Sequence, residues 1–272
     1  MLAVFEKLAL AAGRRIMEIR NGGVTAELKS DSSPVTEADR AAEAIILDGL
    51  RHSFPDIPCV AEEECADGCT PGDLGDAFFL VDPLDGTKEF VGGNTDFTVN
   101  IALIRNGAPE LGVVFAPATG RMFSGGPGRA EETSVGPDFT VLSQHVIAMR
   151  CENDPPLIVA SRSHRTAETN TYIARFEGAE IVSVGSSLKF CLLASGKADL
   201  YPRFGRTMEW DTAAGDAVLR AAGGMTFTLD GNPLAYGKRD QREDVDFANP
   251  WFIACCEGAA ATASMRRNVF TK

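Results

Sequence analysis

Apolar residues recur at steps of three and four across the start of the chain, at Leu2, Phe5, Leu8, Ala9, Ala12, Ile16 and Ile19. That spacing puts them on one face of an amphipathic helix, which Asn21-Gly22-Gly23 stops. Residues 24–28 read as a short strand and 29–34 as a loop. The helical step resumes at Ala38, Ala41, Ala42, Ile45, Ile46 and Leu50 and ends before Pro55. Thr36, with Asp39 three positions later, has the form of a capping box.

A short strand over 57–61, an acidic and flexible loop over 62–76 and a buried strand over 77–81 come next. From Phe97 the rhythm changes. Strands over 97–104, 111–115 and 121–124, split by Asn106-Gly107, by 117–120 and by the Gly- and Pro-rich 125–128, predict an antiparallel meander. The stretch 131–154 is polar and runs into Pro155-Pro156, which marks a boundary between a unit 1–154 and a unit 155–272. Beyond it, strands at 157–160, 180–184 and 198–201 alternate with helices at 166–176, 188–195 and 212–222, the pattern of an α/β layer. A hairpin about Asp230-Gly231 and a strand at 251–255 close the second unit.

Composition narrows the function. With 272 residues, 44% of them hydrophobic, the chain can bury one or two ordinary cores. Its net charge of -12 argues against a general binder of nucleic acid or membrane surface, so an anionic ligand needs a local basic patch. Glu6 and Lys7 interrupt the apolar start, against a signal peptide, and no apolar run approaches the ~18 residues of a membrane span. Seven cysteines without a C-x-x-C pair read as reduced thiols of a cytoplasmic protein, Cys65 and Cys69 being the most open to oxidation.

The densest chemistry follows the strand at 77–81. Asp82-Pro83-Leu84-Asp85 sets two carboxylates three apart across a bend, a cradle suited to a hard divalent cation such as Mg²⁺. Gly86-Thr87-Lys88 can then open a helix whose free N–H groups attract a phosphate. Glu62-Glu63-Glu64 would ordinarily be solvated surface, but it follows a strand end, where parallel sheets gather functional groups. Asp211 has the local look of an N-cap and Asp39 of a capping-box residue. Ser161-Arg162-Ser163-His164, Gly185-Ser186-Ser187-Leu188-Lys189 and Arg203 each lie near a predicted strand end and together could hold a second phosphate. Motifs of serine hydrolases, P-loops and zincins are missing.

Asp82-Pro83-Leu84-Asp85-Gly86-Thr87, with Glu62-Glu63 upstream and Trp210-Asp211 far downstream, resembles the inositol monophosphatase superfamily of metal-dependent, lithium-sensitive phosphatases. Ser33-Pro34-Val35-Thr36-Glu37-Ala38-Asp39 and the Ala213-Ala214-Gly215 run extend the resemblance over nearly the whole chain. Lys88-Glu89-Phe90 stands where inositol phosphatases usually have a Thr-Asn-Phe sequence. With Ser186, Lys189 and Arg203 it is similar to the 3'(2'),5'-bisphosphate nucleotidase branch. Ala61 departs from the usual Gly or Ser, and the loop 65–75 has no clear counterpart.

The resemblance implies an α+β fold, a layered αβαβα sandwich of the sugar-phosphatase type. An N-terminal antiparallel sheet with a helix pair would join a C-terminal α/β layer, with the active site between them. It implies two or three Mg²⁺ ions, the principal ones on Glu62, Asp82, the Leu84 carbonyl and Asp85, with Asp211 completing the second site and Asp39 a weaker third; Li⁺ would inhibit. Glu62, Thr87 and Asp85 would be catalytic. Gly86, Thr87, Lys88, His164, Ser186, Lys189, Arg203 and Asp211 would contact a small phosphorylated nucleotide. The implied reaction removes the 3'-phosphate of adenosine 3',5'-bisphosphate. The rivals are a phosphatase for inositol 1-phosphate or another small phosphomonoester on the same scaffold, and a nucleotide-binding module that has lost catalysis.

Overall fold

Two helices cover one face of a seven-stranded sheet in a computed structural model, which describes residues 1–23, 26–28, 34–151, 155–163 and 165–257. Helix α1 (Leu2–Gly22) buries Phe5, Ala9, Ala12 and Ile16, and α2 (Glu37–Ser53) buries Ala38, Ala42, Ile46, Leu47 and Leu50, the stripes that the spacing predicts. The capping box forms: Thr36 accepts from the helix backbone while Asp39 Oδ2 accepts from Thr36 N at 2.7 Å. Strands β1 (Ala26–Leu28) and β2 (Pro34–Thr36) pair antiparallel ahead of α2, so the expected loop ends in a strand.

The large sheet runs in sequence order through β3 (Cys59–Ala61), β4 (Ala77–Asp85), β5 (Thr98–Arg105), β6 (Ala108–Ala116), β7 (Arg121–Gly126), β8 (Arg129–Val135) and β9 (Val141–Ile147). β3 and β4 are parallel and the rest form the expected meander. Two expectations are corrected here. The polar stretch from 131 contributes most of β8 and the whole of β9. The polarity conceals them because β9 is the sheet edge, with every residue but Ile147 exposed. The loop from 62 begins with a helix, α3 (Glu62–Ala66), and the short helix α4 (Thr87–Val91) follows β4.

The second sheet has the order β11 (Glu180–Val184), β10 (Leu157–Ser161), β12 (Leu200–Arg203), β14 (Phe252–Cys256), β13 (Gly224–Thr228). β11, β10 and β12 pair in parallel and β14 is antiparallel to both of its neighbours, β12 and β13, so the layer is mixed. The sheet alternates cleanly: Val159, Tyr201, Phe252 and Ala254 face the central core, while Ile158, Ala160, Leu200 and Ile253 face the outer helix α5 (Ala167–Ile173). Helices α6 (Leu188–Ala194) and α7 (Trp210–Ala221) fill the space between the sheets. They complete the αβαβα order. Gly112 admits the closest approach, since a Cβ there would lie 2.4 Å from the Ala214 carbonyl of α7.

The expectation of seven reduced thiols is overturned. Cys151 and Cys256 form a disulfide, with Cα atoms 5.3 Å apart. The partners lie 105 residues apart, a pairing only the folded chain brings together. Cys59, Cys191 and Cys255 are buried free thiols, Cys65 is partly buried and Cys69 exposed. Among the described residues, no helix is long and apolar enough to cross a membrane.

Candidate active site

Parallel pairing of β3 with β4, with Ala61 opposite Val81, brings Glu62 and Asp82 out at the same sheet end. β4 does not stop at Val81 as expected; it continues to Asp85 and its pairing with β5 becomes irregular between Asp82 and Asp85. Pro83, which cannot donate to the ladder, sits in that irregularity. Asp82 Oδ1 accepts from Leu84 N at 3.0 Å, closing the bend. From the opposite side, α7 presents Asp211. The expected N-cap role falls to another residue: Glu209 is the N-cap position, and Asp211 Oδ2 instead reaches back to Met208 N at 2.8 Å. Glu209, fully buried, is itself held by Lys238 at 2.7 Å.

A cavity of about 260 Å³ gathers these groups: Glu62, Asp82, Leu84, Asp85 and Asp211 line one part. Burial pushes Asp82 well above the usual carboxylate range, and Glu62, Asp85 and Asp211 push it further. Asp211 is raised to about 8, first by burial, then by Asp85 and Glu62. Asp85 is raised by burial as well, with Lys189 and Ser187 pulling it back. Hard oxygen donors crowded until they repel are the donor set of a divalent cation, the counter-charge that would relieve them. Among the described residues, no group of three or more histidine, cysteine or acidic side chains is arranged ready to hold an ion, and one oxygen of each aspartate accepts from a local donor.

Gly86, Thr87, Lys88, Ser186, Lys189 and Arg203 line the rest of the cavity. Gly86 has φ 94°, and a Cβ there would sit 2.9 Å from the Asp96 carbonyl, so only glycine makes this turn freely. Thr87 Oγ1 lies 3.0 Å from Asp39 Oδ1 and 3.2 Å from Leu84 O. Asp39 is not a lining residue; it reaches the cavity through Thr87 while capping α2 with its other oxygen. Lys189 is buried and donates to Ser186 O at 2.5 Å. Burial pulls its ammonium down to about 8 and Arg203 adds to this, whereas Asp85 opposes it. Arg203, the last residue of β12, braces the loop beyond it through Gly205 O and Arg206 O. His164 lies outside the described residues.

Sequence reasoning missed Arg206 and Thr207, which also line the cavity, and gave Ser161 and Ser187 only as members of patches that could hold a phosphate; Ser161 lines the cavity, Ser187 bonds its walls, and Glu89, another lining residue, had no role of its own. Glu89 is buried and accepts from Ser163 Oγ at 2.5 Å, linking α4 to the end of β10. It stood inside the Lys88-Glu89-Phe90 departure, the one signal that pointed to it.

The profile of the inositol monophosphatase family matches residues 1–254. Among curated proteins, the 3'(2'),5'-bisphosphate nucleotidase CysQ of Escherichia coli K12 is 46% identical over 250 residues, covering 90% of this chain and 96% of that protein. Its counterpart in Salmonella typhimurium is 44% identical, covering 93% and 98%. Among solved structures, CysQ from Bacteroides thetaiotaomicron superposes with a TM-score of 0.74 at 37% identity, covering 92% of this chain and 94% of that one. The Thermotoga maritima IMPase gives 0.75 at 26% identity, covering 98% and 96%.

Proposed function

Because this chain belongs to the inositol monophosphatase family, we propose that it is a phosphomonoesterase of the 3'(2'),5'-bisphosphate nucleotidase type, converting adenosine 3',5'-bisphosphate to AMP and phosphate. The observation that carries the reading is one cavity holding acidic groups from β4, α3 and α7 beside two cationic side chains from α6 and β12. Bisphosphate nucleotidases among the relatives support the choice of alcohol.

The oxygen donors fit Mg²⁺: Glu62, Asp82, the Leu84 carbonyl, Asp85 and Asp211 would hold the principal ions and Asp39 a weaker third. When bound, the metal supplies a more acidic water and neutralises charge on the phosphoryl group. The chain's own residues do the rest. A water oxygen joins phosphorus, the bond from phosphorus to the ribose 3'-oxygen breaks, and a water proton ends on the departing oxygen. Thr87 directs its proton to Asp39 Oδ1 and so turns oxygen lone pairs toward the attacking water. Glu62 takes the proton from the attacking water and releases it for the departing 3'-oxygen, which restores the carboxylate. The first N–H groups of α4, at Thr87 and Lys88, have no acceptor within the helix and face the scissile phosphate. Ser186, Lys189 and Arg203 hold the 5'-phosphate, with Arg203 suited to a bidentate contact. Li⁺ would inhibit by competing for the oxygen donors of the metal site.

We place the activity in the cytoplasm, where free phosphorylated nucleotides are handled, and assign residues 1–154 and 155–272 to two units that meet at the cavity. Chelation tests the reading: EDTA abolishes phosphate release and excess Mg²⁺ restores it. Full activity in EDTA would overturn the metal assignment.

A further inference from the structure

The Ser187 hydroxyl sits where four elements meet. Its Oγ accepts from Asn100 Nδ2 of β5 at 2.8 Å. It lies 2.9 Å from Asp85 Oδ2 at the end of β4 and 2.7 Å from the main-chain carbonyl of Asp211 in α7, while Ser187 itself is the N-cap residue of α6. Only 2% of the residue is exposed, so water does not substitute for these partners. A hydroxyl has one proton and two lone pairs. Asn100 occupies a lone pair, which leaves one proton for two acceptors. Asn100 in turn leaves its own buried Oδ1 without a hydrogen-bond partner among the described residues, an orphaned acceptor kept where its amide fixes Ser187.

We propose that Ser187 is a positioning residue, a buried hydroxyl that shares one proton between Asp85 and the Asp211 backbone and thereby fixes the spacing of the two halves of the metal site. The inference rests on the metal assignment of the proposed function. When the Asp85 carboxylate turns toward a cation, the hydroxyl has the Asp211 carbonyl to swing to, and the junction stays bonded throughout. The same turn carries Ser186 and Lys189, so the hydroxyl also registers the phosphate-holding groups against the carboxylates.

Calorimetric titration with Mg²⁺ alone, without substrate, tests this. Ser187→Ala is expected to bind Mg²⁺ about 10- to 100-fold more weakly, the usual effect of removing a partner behind a metal ligand. Ser187→Thr, which keeps the hydroxyl, is expected to restore most of the affinity. A folded Ser187→Ala protein with wild-type Mg²⁺ affinity overturns the proposal. Should that variant fail to fold, Asn100→Ala carries the test: it frees the hydroxyl to rotate and is expected to weaken Mg²⁺ binding, and unchanged affinity overturns the proposal equally. A wild-type protein that takes up no Mg²⁺ removes the metal assignment itself, and this inference with it.

Discussion

Thr87 Oγ1 lies 3.0 Å from Asp39 Oδ1 across 48 residues of sequence, joining the start of α4 to the start of α2. Asp39 thus serves helix geometry with one oxygen and the cavity with the other. Thr87→Ala is expected to lower kcat by about 100-fold or more, with little change in stability, and Thr87→Ser to recover most of it. Asp39→Asn should lose activity while keeping most of its stability, because the amide oxygen can still accept from Thr36 N and cap α2. Steady-state kinetics beside urea unfolding separates the two effects; unchanged kcat in Asp39→Asn would reduce the residue to a cap.

Lys189 gives a pH signature. Its ammonium, brought down to about 8 chiefly by burial, must be protonated to hold a phosphate. KM for adenosine 3',5'-bisphosphate is therefore expected to rise as pH passes through 8, while KM for a monophosphate lacking the 5'-phosphate stays flat. Lys189→Met should remove the inflection. Parallel pH profiles for both substrates would take Lys189 out of the 5'-phosphate site.

Glu43 couples stability to pH outside the cavity. It is 5% exposed and accepts from Glu63 N and Glu64 N at 2.8 and 2.9 Å. Burial nevertheless raises it from 4.5 to about 7. A folded-state pKa above the unfolded one contributes stability that is fully present below pH ~4.5 and lost as pH rises through ~7. Between pH 5.5 and 8 the wild type should lose about 2 kcal/mol relative to Glu43→Gln, as read by urea unfolding at both pH values. A constant difference would show that the two backbone N–H bonds keep Glu43 ionised throughout.

The bridge between Cys151 and Cys256 ties the segment after β9 to the last strand of the second sheet. Cys151→Ser is expected to cost about 2–4 kcal/mol. A thiol reductant should lower the unfolding midpoint of the wild type by a similar amount and leave the variant unmoved. Equal sensitivity of both proteins to reductant would mean that the bridge does not form in solution.

Helices α1 and α2, the meander and the strand–helix alternation after Pro155 were legible because each buries one face and so writes its period into the sequence. β9 was not, because an edge strand exposed along nearly its whole length writes no apolar alternation. The cavity was half legible. Asp82, Asp85 and Thr87 lie close in sequence, and Lys189 and Arg203 stood in basic patches at strand ends. Ser187 stood in one of those patches too, yet its role arises from partners on β4, β5 and α7 that only folding assembles. Asp211 misled in a different way. Its local sequence reads as a cap, and the actual N-cap position belongs to Glu209, whose carboxylate is committed to Lys238 and to the backbone of Gly237 and Lys238.

The most direct test compares kcat/KM for adenosine 3',5'-bisphosphate and inositol 1-phosphate in Mg²⁺, with Asp85→Asn alongside the wild type. The bisphosphate is expected to be preferred by at least about tenfold, equivalent to ~1.4 kcal/mol of transition-state binding, and Asp85→Asn to lose turnover on both substrates while remaining folded. Preference for inositol 1-phosphate, or near-normal turnover by Asp85→Asn, would contradict the assignment.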